Sequence, residues 1–157
     1  MRIQVAIGVL LMLGLAQQAS AKGKDAVAIA VEDLKWVEVP DSGGVQIAVV
    51  KGNIDKGAHE GFAKFPAGGE HPLHTHTNAV TVVVISGTFT YGPEAGPAKS
   101  YGSGSYLSIP GGLKHTSGCA AGAPCILFQS SPGKFDFKPV APPKAAAAPP
   151  AKVPARP

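Results

Sequence analysis

From Val45 to Ser130 the chain is a succession of short β-forming runs, each stopped by Gly, Pro, Asn or Asp. The runs are Val45–Val50, Gly61–Phe65, Ala79–Ile85, Thr88–Tyr91, Ser105–Ile109 and Ile126–Ser130. Pro40-Asp41-Ser42-Gly43-Gly44, Ser86-Gly87 and Pro110-Gly111-Gly112 supply the turns, since Pro presets φ and Gly accepts the left-handed region. A chain interrupted this often has no room for long helices, and only around Val27–Leu34 does a weak 3.6-residue pattern survive. The expectation is all-β: a small sandwich or barrel. Val82-Val83-Val84-Ile85 is apolar on both faces, as a strand covered on both sides should be.

The two ends read differently from this middle. Arg2 precedes an apolar stretch from about Val5 to Ala16, then Ala19-Ser20-Ala21. That order of positive start, apolar middle and small residues predicts a signal peptide over 1–21, cleaved after Ala21, and hence a periplasmic or secreted protein. The stretch is shorter than the roughly 20 residues of a membrane span, so no span is expected in the mature chain. Residues 22–35 form an N-terminal segment and 36–138 the barrel domain. Residues 139–157 are almost all Ala, Pro and Lys, too poor in apolar side chains to offset ordering entropy, and are expected to be a disordered tail.

Of the 157 residues, fourteen are Lys or Arg and ten are Asp or Glu. Seven of the basic residues lie outside Asp25–Phe137, which leaves that region seven basic against ten acidic residues, a formal charge of −3. The basic balance of the whole chain therefore belongs to its ends, and a nucleic-acid-binding face is excluded. Cys119 and Cys125 enclose Ala-Ala-Gly-Ala-Pro, a turn. In an oxidising compartment a disulfide across antiparallel flanks would fix a hairpin near His115, and the alternative is two buried thiols.

The chemistry-bearing residues are His74, His76 and His115. On a strand, positions i and i+2 share a face, so His74 and His76 can project together. His115 follows Ile109-Pro110-Gly111-Gly112, where glycine permits a sharp turn and a close approach of backbone. Three neutral imidazoles make a plausible set of ligands for a divalent ion, with positions left open for water or substrate. The alternative is a metal-free pocket that the histidines merely line. His71 could add a nitrogen or lie exposed on a loop, and Glu70 could add a carboxylate or be a solvated turn acid. His59 and Glu60 are expected to face water. Gln129, Tyr106 and Lys64 are candidates for the pocket wall or rim, and Trp36 for covering a barrel end.

These stretches resemble the paired motifs of the cupin superfamily. Gly68, five residues, His74-x-His76 and Gly87 match the first motif; Gly104, five residues, Pro110-x-Gly112, two residues and His115 match the second. Phe65-Pro66-Ala67-Gly68, Leu73-His74-Thr75-His76 and Val84-Ile85-Ser86-Gly87-Thr88 are similar to secreted or periplasmic single-domain cupins. The resemblance implies a double-stranded β-helix (jelly-roll) barrel, a metal held by His74, His76 and His115, a small-molecule ligand or substrate, and pairing into homodimers through edge strands. Two positions depart from the pattern: Val80 stands where the family's glutamate ligand belongs, and Cys119 where it has asparagine.

An all-nitrogen set suits Zn, Fe, Cu or Ni better than Mn and leaves the ion's double charge uncompensated. Such a centre should take an anionic or enolisable oxygen ligand. The expectation is thus a metal-dependent enzyme, dioxygenase or isomerase-like, on a small oxygen-rich molecule, with no residue marked as its general base. The alternative is a non-catalytic metal or small-ligand binding or sensing module of the cell envelope. A third, last in order, is a structural spacer.

Overall fold

The computed structural model describes residues 26–141. The expected signal peptide and its cleavage site, and all of the tail beyond Ala141, lie outside these residues. Among the described residues eleven strands follow one another: β1 Val37–Glu38, β2 Gln46–Gly52, β3 His59–Phe65, β4 Glu70–Thr75, β5 Val80–Ser86, β6 Phe89–Pro93, β7 Lys99–Tyr101, β8 Tyr106–Ile109, β9 His115–Cys119, β10 Cys125–Ser131 and β11 Lys138–Pro139. All the pairings are antiparallel. They build a six-stranded sheet, β1-β2-β3-β10-β5-β8, and a five-stranded sheet, β11-β4-β9-β6-β7. The fold is the all-β jelly roll. No helix among the described residues is long and apolar enough to cross a membrane.

Alternation explains the layering. In β10 every second side chain is buried, from Cys125 through Leu127 and Gln129 to Ser131; in β5 the buried set is Val80, Val82 and Val84. Those inward positions meet Ile47, Ala63, Phe89, Leu107 and Ile109 in one apolar core. Removing a Val or Leu side chain of this kind from water contributes about 1.5–3 kcal/mol. The six runs read from the sequence correspond to β2, β3, β5, β6, β8 and β10, each shifted by a residue or two at its ends. Around Val27–Leu34 the only helical element is a single 3₁₀ turn, Val31–Asp33, with no buried residue. The period there was too short to give a helix an apolar face to bury.

The disulfide forms between Cys119 and Cys125, with Cα atoms 5.8 Å apart. It does not close a hairpin. β9 belongs to the smaller sheet and β10 to the larger, so the bond staples the two layers at the turn where the chain crosses between them. Both cysteines are buried and part of the core.

Candidate metal centre

β4 and β9 lie side by side in the smaller sheet, and the register sets His74 directly opposite His115. This pairing erases the separation between them along the chain. His76 follows one residue past β4, and its carbonyl accepts the Gly112 N–H at 2.7 Å, which draws the Pro110–Leu113 turn against it. Glycine is required in that turn. A Cβ on Gly111 would stand 2.4 Å from the Thr77 carbonyl oxygen, and Gly112 has φ +77°. The three ring centroids are 4.2 Å (His74–His115), 5.0 Å (His74–His76) and 5.2 Å (His76–His115) apart. Each ring offers one nitrogen within 4.8 Å of the other two.

Which nitrogen that is follows from the hydrogen bonds. His74 Nδ1 donates to the Pro72 carbonyl at 2.7 Å, His115 Nδ1 to the Leu113 carbonyl at 2.9 Å, and His76 Nδ1 to the Asp136 carbonyl. A carbonyl can only accept, so each Nδ1 carries the proton and each Nε2 presents a lone pair. Burial then keeps the rings neutral. It takes His74 from the ordinary 6.5 to about 4, with the neighbouring His115, His76 and His71 opposing protonation further. Burial likewise lowers His76 and His115, partly offset by their carbonyl partners. Three deprotonated Nε2 atoms with fixed tautomers are what a divalent ion of the zinc, iron, copper or nickel kind requires, and the cluster is compatible with such a site.

Each imidazole also packs closely against an aromatic ring. Phe137 stacks on His74 at 4.4 Å, Phe135 lies tilted over His76 at 4.9 Å, and Tyr91 stacks on His115 at 5.3 Å. Two of these rings, and the Asp136 carbonyl, come from the segment between β10 and β11, which the sequence reading did not connect with the site. That segment is tied down at both ends: Phe135 N–H donates to the Ile54 carbonyl and Val140 N–H to the Leu73 carbonyl, each at 2.8 Å. In its middle, Asp136 accepts from the Thr77 N–H at 2.7 Å and from the Thr77 hydroxyl. Burial alone would raise the Asp136 carboxyl, but these bonds and the Lys138 ammonium 3.3 Å away hold it below its ordinary value. Pairing of Pro139 with His74 carries the sheet one residue past the boundary expected at 138. The signal available in the sequence was Phe135-Asp136-Phe137, an alternating pair of aromatics beside an Ala/Pro/Lys stretch.

The remaining candidates sort as follows. Val80 is buried and lines the cavity, and no carboxylate joins the three histidines among the described residues. Glu70 is exposed at the cavity rim. His71 is not on a loop: it lies half-buried on β4, its Nε2 donating to the Ser42 carbonyl at 3.0 Å, its ring 5.1 Å from Phe65. His59 does not face water; it is 3 % exposed, and its Nδ1 reaches the Gly57 and Gly133 carbonyls, both at 3.1 Å. It is the first inward position of β3, set between Gly52 on β2 and Ser131 on β10. Glu60 instead pairs with Lys51 on the surface. Lys64 points away from the cavity and sets its ammonium 4.6 Å from the Trp36 ring centroid, while Tyr106 is an exposed outer-face residue. Gln129 does line the cavity and is 6 % exposed.

The cavity between the sheets has a volume of about 570 Å³, within the range of small-molecule sites. Its walls are mostly apolar, with the imidazoles on the smaller-sheet side.

A family model described as a ChrR cupin-like domain matches residues 24–132. No curated protein matches the chain. Among solved structures, the chain is similar to the polyketide cyclase RemF from Streptomyces resistomycificus, with 18 % identity and a TM-score of 0.63 over 73 % of this chain and 84 % of that one. It is also similar to an RmlC-like cupin protein from Ralstonia eutropha, at 26 % identity and TM-score 0.58, covering 72 % of each chain. KdgF from a Halomonas species shares 18 % identity and a TM-score of 0.53 over 66 % of this chain and 92 % of that one. Likenesses below a quarter identity establish the barrel and leave its chemistry to the site itself.

Proposed function

Since the chain belongs to the ChrR cupin-like domain family, we propose that it is an exported protein whose His74, His76 and His115 hold a divalent metal ion for chemistry on a small oxygen-bearing molecule. The observation that carries this reading is the common tautomer of the three buried imidazoles, each Nδ1 committed to a backbone carbonyl and each Nε2 free. A site that only needed polar lining would have no use for three like-oriented lone pairs within 4.8 Å. Export is supported by the buried Cys119–Cys125 disulfide, a bond that persists in oxidising compartments.

When bound, the ion would supply Lewis acidity, or oxygen chemistry if it is iron, to an anionic or enolisable oxygen. The chain's own contribution is to bind and to exclude water. Val80, Val82, Leu127 and Phe89 form a dry wall, so interactions at the imidazole end act in a poorly screened environment. A dioxygenase or isomerase-like activity is the specific form proposed.

A second reading, a non-catalytic binding or sensing module of the cell envelope, is favoured by one observation. The carboxylates at the cavity, Asp41 and Glu70, are both exposed on its rim, and none is buried where a general base would work. Elemental analysis of the protein from its native compartment tests the metal. The variant His115→Ala should lose metal affinity by more than the 10–100-fold that follows loss of a mere supporting partner. Oxygen uptake and turnover of enolisable or keto compounds by the metal-loaded protein separate the readings: turnover identifies an enzyme, and ligand-induced melting shifts without turnover identify a binding module. Zinc, iron, copper and nickel all failing to bind would end the first reading, and the absence of any ligand-induced melting shift as well would end the second.

A further inference from the structure

The two walls of the cavity are unlike in a way that bears on what enters it. The smaller sheet contributes the three imidazoles. The larger sheet contributes Ile47, Ala63, Val80, Val82 and Leu127, and among these apolar neighbours a single amide, Gln129. Gln129 is an inward position of β10, 6 % exposed. Its register partners are Gly61 on β3, which has no side chain, and Val82 on β5, which has no polar atom. The amide nitrogen is accordingly buried with no acceptor. A buried donor left unpaired costs about 1–3 kcal/mol, which leucine at the same position would avoid. The sequence around it, Ile126-Leu127-Phe128, shows that apolar residues suit this strand.

We infer that Gln129 is a ligand-recognition residue, and that the molecule taken by this cavity is a small anion with an apolar body and a second, uncharged oxygen that accepts from the Gln129 amide. The inference rests on the proposed metal reading for the anionic end: three neutral imidazoles compensate none of a divalent ion's charge, and among the described residues no carboxylate stands with them. The apolar body follows from the wall between the two ends. The acceptor oxygen follows from the orphaned donor, because a site built to hydrogen-bond a group discriminates against an analogue lacking it. The class is a keto- or ester-bearing carboxylate, or the corresponding enolate.

The test uses the full chain, two benzoates of equal heavy-atom count, and the variant Gln129→Leu. 4-Acetylbenzoate carries an acceptor carbonyl opposite its carboxylate; 4-isopropylbenzoate replaces that carbonyl oxygen by a methyl group. Titration calorimetry of zinc-loaded protein should show about a tenfold preference for the acetyl compound, the worth of one hydrogen bond. In Gln129→Leu that preference should vanish while zinc affinity stays unchanged, because Gln129 is not one of the three clustered histidines. Equal affinities for the two compounds, binding of neither by zinc-loaded protein, or a preference that survives in Gln129→Leu overturns the inference. Failure to take up zinc at all is a separate result and counts against the metal reading. In that event the chelator-treated proteins decide: a melting midpoint of Gln129→Leu equal to or above that of the parent upholds a recognition role, and one lower by several degrees makes Gln129 structural.

Discussion

Acidification should destabilise the metal-free protein well before its carboxylates titrate, and His74 is the main reason. Its imidazole is 2 % exposed and has a pKa near 4, against 6.5 when solvated. The sign follows from proton counting. Below pH 6.5 the unfolded chain takes up a proton at this residue, while the folded chain resists until about pH 4. The unfolded state therefore binds more protons in that window, and stability falls as pH falls. With 1.36 kcal/mol per unit, the loss from His74 alone is about 2 kcal/mol between pH 7 and 5 and about 3 kcal/mol by pH 4. His76 and His115 are lowered in the same direction and add to it. The assay is urea unfolding of chelator-treated protein at pH 7.5, 6.5, 5.5 and 4.5, with the free energy extrapolated to water at each. His74→Leu should weaken the pH dependence by its own share. A flat profile from pH 7.5 to 4.5, or a protein that gains stability on acidification, would falsify the claim that burial holds these rings neutral. Saturating zinc should raise stability at every pH where it binds, by an amount growing with the ratio of free zinc to Kd.

Three further outcomes follow from the geometry. The disulfide closes a short loop, so the paired variant Cys119→Ala, Cys125→Ala should lose about 2 kcal/mol in denaturant unfolding, with tighter dependence on the sheet-to-sheet contact than a hairpin clip would show. Phe137→Ala removes the ring stacked on His74 from a partly exposed position; it should cost about 1–2 kcal/mol in stability and lower zinc affinity measured by competition with a chromophoric chelator. Gly111→Ala places a methyl group against the Thr77 carbonyl and should cost about 1–3 kcal/mol in melting experiments while displacing His115 enough to weaken zinc binding.

The strand pattern was legible because turn residues punctuate it: Gly87 and the Pro110-Gly111-Gly112 run mark ends that no strand can pass through. The histidine spacing was legible for a similar reason, since His74 and His76 two apart, and His115 behind its glycines, are local facts of the chain. Less visible were β4 and β9 themselves. Glu70-His71-Pro72-Leu73-His74-Thr75 and His115-Thr116-Ser117-Gly118-Cys119 lack the β-branched density of a buried strand, because their inward positions carry imidazoles and their stability comes from pairing with each other. His59 was expected in solvent because it is polar, whereas the Gly57 and Gly133 carbonyls made its burial tolerable; His71, left open between the site and an exposed loop, is held half-buried on β4 by the Ser42 carbonyl.

By itself, the order of residues determined that this chain makes strands, where it turns and which three imidazoles are in play. Those are short-range matters, settled by backbone sterics and by spacing. Only the tertiary structure decided that the disulfide joins two layers, that Phe135, Asp136 and Phe137 complete the histidine site from the far end of the domain, and that Gln129 lines the same cavity as the imidazoles with an amide nitrogen that has no acceptor among the described residues. Each of these depends on which strands become neighbours, a choice made by burial of the whole apolar set at once, which no local pattern encodes.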